Sequence, residues 1–256
     1  MSPIVLFAFF ALGAIVASFV GVVVARLNTG QSFITGRSRC DACNEPLTSR
    51  VLVPVISHIM HGGRAQCCGV RLSCIAPIME VLLGSLFVLA SVKLGLTYAL
   101  PCMLLSLALL LALVLYDLSH QILPSLLLTL FVLSSSVTGF LLAPALEAFY
   151  TTAFIAFLIA ASLALVHFLS HGRAMGFADA PFSFGLSLLA GPAALSGFVF
   201  SFWIGAAIGI VVLLQRPRGS RMGVEVPFAP FLAAGFLLAY FTQWNPFLLI
   251  ANLSGF

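Results

Sequence analysis

Apolar residues run along this chain in long blocks separated by short polar loops. Blocks near the roughly 20 residues that a helix needs to cross a bilayer recur along most of its length. They predict transmembrane helices at 3–25, 76–92, 97–116, 123–143, 147–169, 181–195, 197–214 and 228–250, the sixth unusually short. The fold class that follows is all-α, a polytopic integral membrane helical bundle of about eight transmembrane helices, because a helix satisfies its own backbone hydrogen bonds in lipid. One long polar segment, Arg26 to Ser73, interrupts the pattern and carries a cluster of cysteines. The chain therefore divides into residues 1–75, a first span plus this loop, and residues 76–256, a nearly continuous bundle. The first block, Pro3 to Val24, lacks a positively charged start and a small-residue cleavage site, so it reads as a retained span.

Composition agrees with the pattern: of 256 residues, 62% are hydrophobic and 7% charged, too little polar surface to coat a soluble globule. A net charge of +4 does not point to nucleic acid, because the basic residues sit in short loops where they orient a membrane topology. With the long loop in the cytoplasm, Arg26, Arg37, Arg39, Arg50, Arg64, Arg71, Arg173, Arg216, Arg218 and Arg221 all fall inside, and Lys93 alone falls outside. That bias places both termini outside and makes the cysteine-bearing loop cytoplasmic. Asp117 then ends the third span as it arrives inside, and Asp179 lies in the loop that starts the sixth span as it leaves. Both aspartates are expected at the cytoplasmic edge.

The few polar residues eliminate most hydrolytic chemistries. A serine–lysine dyad needs a lysine, and Lys93 lies on the outer face. A zinc-protease helix needs a glutamate between two histidines, whereas Phe168, Leu169 and Ser170 separate His167 from His171. Those two histidines read as amphipathic rings at a membrane interface, and Cys102, in an apolar span, reads as packing. A carboxylate pair is left. The chain has three aspartates, and Asp41 belongs to the cysteine cluster, which leaves Asp117 and Asp179. Ionisable groups at membrane depth are functional candidates, although placement alone also suits interfacial pairing with Arg173 or His120. In such a pair one carboxylate must be ionised to take a proton from water, while the other stays protonated to polarise the scissile carbonyl.

The segments Asp117-Leu118-Ser119-His120-Gln121-Ile122-Leu123-Pro124 and Gly176-Phe177-Ala178-Asp179 resemble the two aspartate motifs of the type IV prepilin peptidases. In the same order along the chain, Ala17–Leu27, Gly30-Gln31-Ser32, Arg37-Ser38-Arg39-Cys40, Pro77-Ile78-Met79-Glu80 and Val226–Ala233 resemble further segments of that family. The resemblance implies a membrane aspartyl endopeptidase with Asp117 and Asp179 catalytic, cutting the basic leader from type IV prepilins or pseudopilins at the cytoplasmic face of a bacterial inner membrane. It also implies N-methylation of the new amino terminus with S-adenosylmethionine as donor. Gly176 is expected to allow backbone geometry that a side chain would forbid. The family pattern carries glycine where this chain has Ala178 and lysine where it has Pro181, which removes a positive charge near Asp179.

Cys40 and Cys43 form a CxxC knuckle suited to zinc. The second knuckle expected by resemblance is altered: Ala65 replaces its first cysteine, so Cys68 supplies the third ligand, and Cys67 or Cys74 the fourth. A Zn2+ ion there would be structural, stapling a polar loop with few large apolar side chains. The basic residues of the loop also suit acidic lipid headgroups. Glu80, near the start of the second span, has two readings: organising the substrate amino terminus or loop, or ordinary helix-terminal chemistry. Two competing functions follow from the same residues. One is a family relative without turnover, suggested by Ala65, Ala178 and Pro181. The other is a proton-coupled carrier using the aspartates as proton sites.

Overall fold

The computed structural model of the protein describes residues 1–29, 43, 45, 64, 67–71, 73–173, 175–215 and 227–247. Cys40 and Ala65, named above for the metal site, lie outside the described residues, as do six of the loop arginines. The described residues form α-helices, with one isolated antiparallel bridge, Arg64 to Arg71. In chain order the helices are α1 (Pro3–Arg26), α2 (Ile75–Leu94), α3 (Ala99–His120), α4 (Ser125–Leu142), α5 (Leu146–Leu169), α6 (Asp179–Ala190), α7 (Ala194–Gln215) and α8 (Ala229–Thr242). Each coincides with one expected span. Among the described residues six stretches are long and apolar enough to cross a membrane, counting α6 and α7 together, and α8 is a shorter apolar helix.

Two boundaries differ from the sequence reading in ways that matter for the site. Helix α3 runs to His120, one turn past its expected end, so Asp117 stands inside the last turn. It stops at Gln121, whose φ of 56° and ψ of 32° place it in the left-handed region while its N–H donates to the Asp117 carbonyl at 2.7 Å. Helix α6 begins at Asp179 itself, two residues before the expected start. Pro181 then occupies the third helical position, where a missing N–H forfeits no intrahelical bond.

The chain forms two compact units, Met1–Thr97 and Tyr98–Phe256. In the first, α1 packs along α2 through small residues: a Cβ on Gly13 would lie 2.7 Å from the Gly84 Cα, and Ala14, Ala17 and Ala90 are buried beside them. Close backbone approach of this kind drives helix association where lipid is as apolar as the side chains.

In the second unit α6 is the central element. Its 12 residues span only about 18 Å, too short to cross a bilayer, and nearly all are buried against α4, α5, α7 and α8. The helix stops at Gly191, where φ is +60°, and a single 3-10 turn, Gly191–Ala193, leads into α7. Helix α4 reaches α6 closely because Gly139 has no side chain; a Cβ there would sit 2.8 Å from the Leu188 carbonyl oxygen. Between α3 and α4, buried hydroxyls satisfy each other, Ser106 Oγ lying 2.8 Å from Ser134 Oγ and 3.4 Å from Thr138 Oγ1. Both hydroxyls of α4 belong to the buried set, so this seam is a polar staple inside an apolar bundle.

These contacts predict a contrast between two glycines. Gly139→Leu must push α4 off the α6 backbone and is expected to destabilise the protein by about 1–3 kcal/mol, the usual size of an overpacking penalty. Gly209→Leu, with nothing within 4 Å of its Cβ position, is expected to leave stability unchanged. Thermal unfolding of both variants in detergent checks the difference.

Candidate active site

Asp117 and Asp179 come from opposite kinds of helix end, the last turn of α3 and the first residue of α6. Both are buried, and both line one cavity of about 640 Å³ together with Gln121, Arg173, Gly176 and Phe228. The two carboxylates are close enough to interact electrostatically. The pair proposed on sequence grounds is thus brought together in space. Among the described residues neither aspartate is ion-paired with Arg173 or His120; His120 instead stacks on Tyr116 with ring centroids 4.3 Å apart.

Each carboxylate is met by a backbone N–H. Helix α8 starts at Ala229, followed by Pro230, which has no N–H to offer; the next two donors, Phe231 and Leu232, both bond to the Phe228 carbonyl at 3.0 and 3.1 Å. That leaves the Ala229 N–H without a carbonyl of its own helix to bond and facing the Asp117 carboxylate. The Asp117 side chain therefore lies at the positive end of α8. Its Oδ2 is buried with no protein hydrogen-bond partner among the described residues, which leaves an acceptor for water or substrate.

Asp179 is held by the segment just before it. The Gly176 N–H faces its carboxylate, while the Asp179 N–H donates to the Gly176 carbonyl at 3.3 Å. Gly176 does not have a positive φ, contrary to the expectation that it supplies a conformation forbidden to side chains. Its contribution is the N–H, given at a point where a Cβ would stand 3.6 Å from Asp179 Oδ2. Among the described residues of this loop the left-handed positions are His171 and Gly172, with φ of 52° and 76°. Ala178, where the family pattern has glycine, lies at φ −66° and ψ −18°, an ordinary right-handed conformation that alanine adopts without strain.

Sequence reasoning missed three features of the site. Arg173 entered only as a topology marker or ion-pair partner, yet it lines the cavity as an exposed cation. Phe228 and the start of α8 were a resemblance without a role. His167 was read as an interfacial ring, whereas its Nδ1 lies 2.8 Å from the Met175 carbonyl oxygen, in the loop that precedes Asp179.

The first unit carries the remaining candidates. Glu80 is buried in α2, and the structure gives it a partner. The sulfurs of Cys43, Cys67 and Cys68 all lie within 4.8 Å of one another, with Cys43 and Cys67 at 3.2 Å and Cys67 and Cys68 at 3.8 Å. Thiolates about 2.3 Å from a zinc ion at tetrahedral corners stand about 3.8 Å apart, so this donor set fits the metal. The adjacent cysteines reach it because they occupy a tight turn, with Gly69 at φ +68°, closed by the Arg64–Arg71 bridge. Cys74 stands at the N-terminus of α2 and outside this group.

Comparison with known proteins identifies the family of the chain. Residues 11–94 match the family model described as Bacterial Peptidase A24 N-terminal domain. The chain is 30% identical to a prepilin leader peptidase/N-methyltransferase of Bacillus subtilis over 90% of its own length and 92% of the relative's. It is 34% identical to a protein of the same name from Myxococcus xanthus, over 82% of this chain and 63% of the relative. A type 4 prepilin-like proteins leader peptide-processing enzyme of Escherichia coli is 27% identical over 90% of this chain and 91% of its own. No solved structure matches. With 30% identity sustained across nearly the full length of both chains, this bacterial-type membrane protein belongs to the prepilin leader peptidase/N-methyltransferase family.

Proposed function

We propose that the protein is a membrane aspartyl endopeptidase that removes the leader peptide of type IV prepilins or pseudopilins, with Asp117 and Asp179 as its catalytic pair. The observation that carries this reading is the convergence of the two aspartates on one cavity from two separate helix ends. Two carboxylates that share a site do not both ionise cheaply, so one is charged and the other holds a proton. The charged one takes a proton from a water molecule as the water oxygen attacks the scissile carbonyl carbon. The protonated one donates a hydrogen bond to the carbonyl oxygen and stabilises the charge that develops there. When the carbon–nitrogen bond breaks, the departing amine takes up the proton that the water lost.

The backbone donors support this chemistry by fixing both side chains without adding a counter-charge that would trap them. The departures from the family pattern do not favour an inactive relative, since Ala178 is unstrained and Pro181 sits where its missing N–H is harmless. Neither does the geometry favour a proton carrier: both aspartates lie at helix ends beside an open loop.

The arginine distribution along the sequence supports a cytoplasmic location for the cavity, which Arg173 lines. The names of the relatives extend the reading to methylation of the new amino terminus, for which S-adenosylmethionine is the donor. In the helices of the first unit the buried Glu80 is the carboxylate able to hold a cationic amine. Zinc at Cys43, Cys67 and Cys68, with Cys40 as fourth ligand, supplies a cross-link between distant parts of the loop.

Two measurements test these assignments. Asp117→Asn and Asp179→Asn are each expected to lower cleavage of a prepilin-like substrate by purified protein by about 10²–10⁴-fold, the range of a lost general acid or base. Full activity in either variant contradicts the dyad. For the metal, elemental analysis of purified protein is expected to find stoichiometric zinc in the wild type and none in Cys43→Ser/Cys67→Ser, and equal content in both contradicts the site.

A further inference from the structure

His167 closes α5, and the loop leading to Asp179 is folded around its ring. The Gly172 N–H donates to the His167 carbonyl at 2.9 Å, and the Ser170 hydroxyl donates to the same oxygen at 3.2 Å. Gly172, at φ +76°, packs so closely that a Cβ would stand 3.3 Å from the imidazole Cε1. The Phe177 ring meets the imidazole edge-on, with centroids 5.6 Å apart. Because a carbonyl oxygen only accepts, the 2.8 Å contact with Met175 fixes the role of Nδ1: it carries the hydrogen and donates.

The next link is covalent. The Met175 carbonyl and the Gly176 N–H belong to one planar peptide group, so fixing the direction of the first fixes the second. That N–H faces the Asp179 carboxylate, whose Oδ2 lies 3.6 Å from the position of a Cβ on Gly176. Hydrogen bonds in line through a shared peptide also polarise each other.

We propose that His167 is a positioning residue for Asp179, acting through the Met175–Gly176 peptide. The proposal rests on the reading of Asp179 as half of the catalytic pair. His167 touches neither substrate nor water in this scheme; it aims and strengthens the N–H that holds the carboxylate. A displaced carboxylate slows the chemical step more than it weakens binding.

The test uses the purified full chain and a prepilin-like substrate, and compares two variants of similar polarity. In His167→Asn the side-chain amide nitrogen falls at the place of Nδ1 and can donate to Met175. In His167→Gln it falls at the place of Nε2. The expected result is kcat within about threefold of wild type for His167→Asn and lower by about ten- to a hundredfold for His167→Gln, with KM little changed. Equal kcat in the two variants, whether both intact or both impaired, overturns the proposal, as does a loss carried by KM. Asp179→Asn run alongside separates the two readings. If it is inactive while His167→Gln is fully active, positioning alone fails; if it is active, the dyad itself fails.

Discussion

A carboxylate can stand at the rim of an apolar bundle only if polar groups meet it there, and in this protein backbone N–H groups do so. Ala229 serves Asp117 and Gly176 serves Asp179. Neutral donors of this kind hold a carboxylate in place without neutralising it, as a salt bridge to Arg173 would. The positions of helix ends therefore govern the site. Asp117 is where α3 is finishing and α8 is starting, and Asp179 is where α6 starts.

Helix α6 shows how the bundle meets that demand. A helix of full crossing length would bury its first turn only if another helix overhung it, but α6 is half-length, central and covered on all sides. Its N-terminus opens into the cavity, and at the 3-10 turn after Gly191 the chain reverses: α7 lies antiparallel to α8, Gly197 against Phe236 and Gly205 against Phe231, and so returns toward the side where α8 begins. The close approaches at Gly139 and Gly185 hold this short element against α4. A shift there would move Asp179 relative to Asp117.

Much of this was legible in the sequence. The apolar blocks marked every described helix, including the short sixth one, and the alternation of inside and outside loops placed both aspartates at one edge. What sequence could not show were contacts whose chemistry lies in the backbone. No residue type announces that the Ala229 N–H will be left over, since this follows from Pro230 lacking a donor and from the two later donors both choosing Phe228. His167 gave the ordinary signal of an interfacial histidine, and only the fold of the loop reveals its bond to Met175. Gly176 was singled out for a conformation it does not adopt; its φ is not left-handed, and it is the N–H that faces Asp179. That Cys67 and Cys68 both bring their sulfurs to Cys43 is a consequence of the turn at Gly69, which the sequence does not announce.

The central claim is that Asp117 and Asp179 act as one unit on one substrate, which a double-variant comparison tests most directly. Residues that act as a unit are non-additive, since losing either abolishes the shared step. The rate of leader cleavage is measured for the two single asparagine variants and for the double variant. The account predicts that the double variant is no slower than the slower single one. Losses that multiply would mean that the two carboxylates contribute independently and would contradict it.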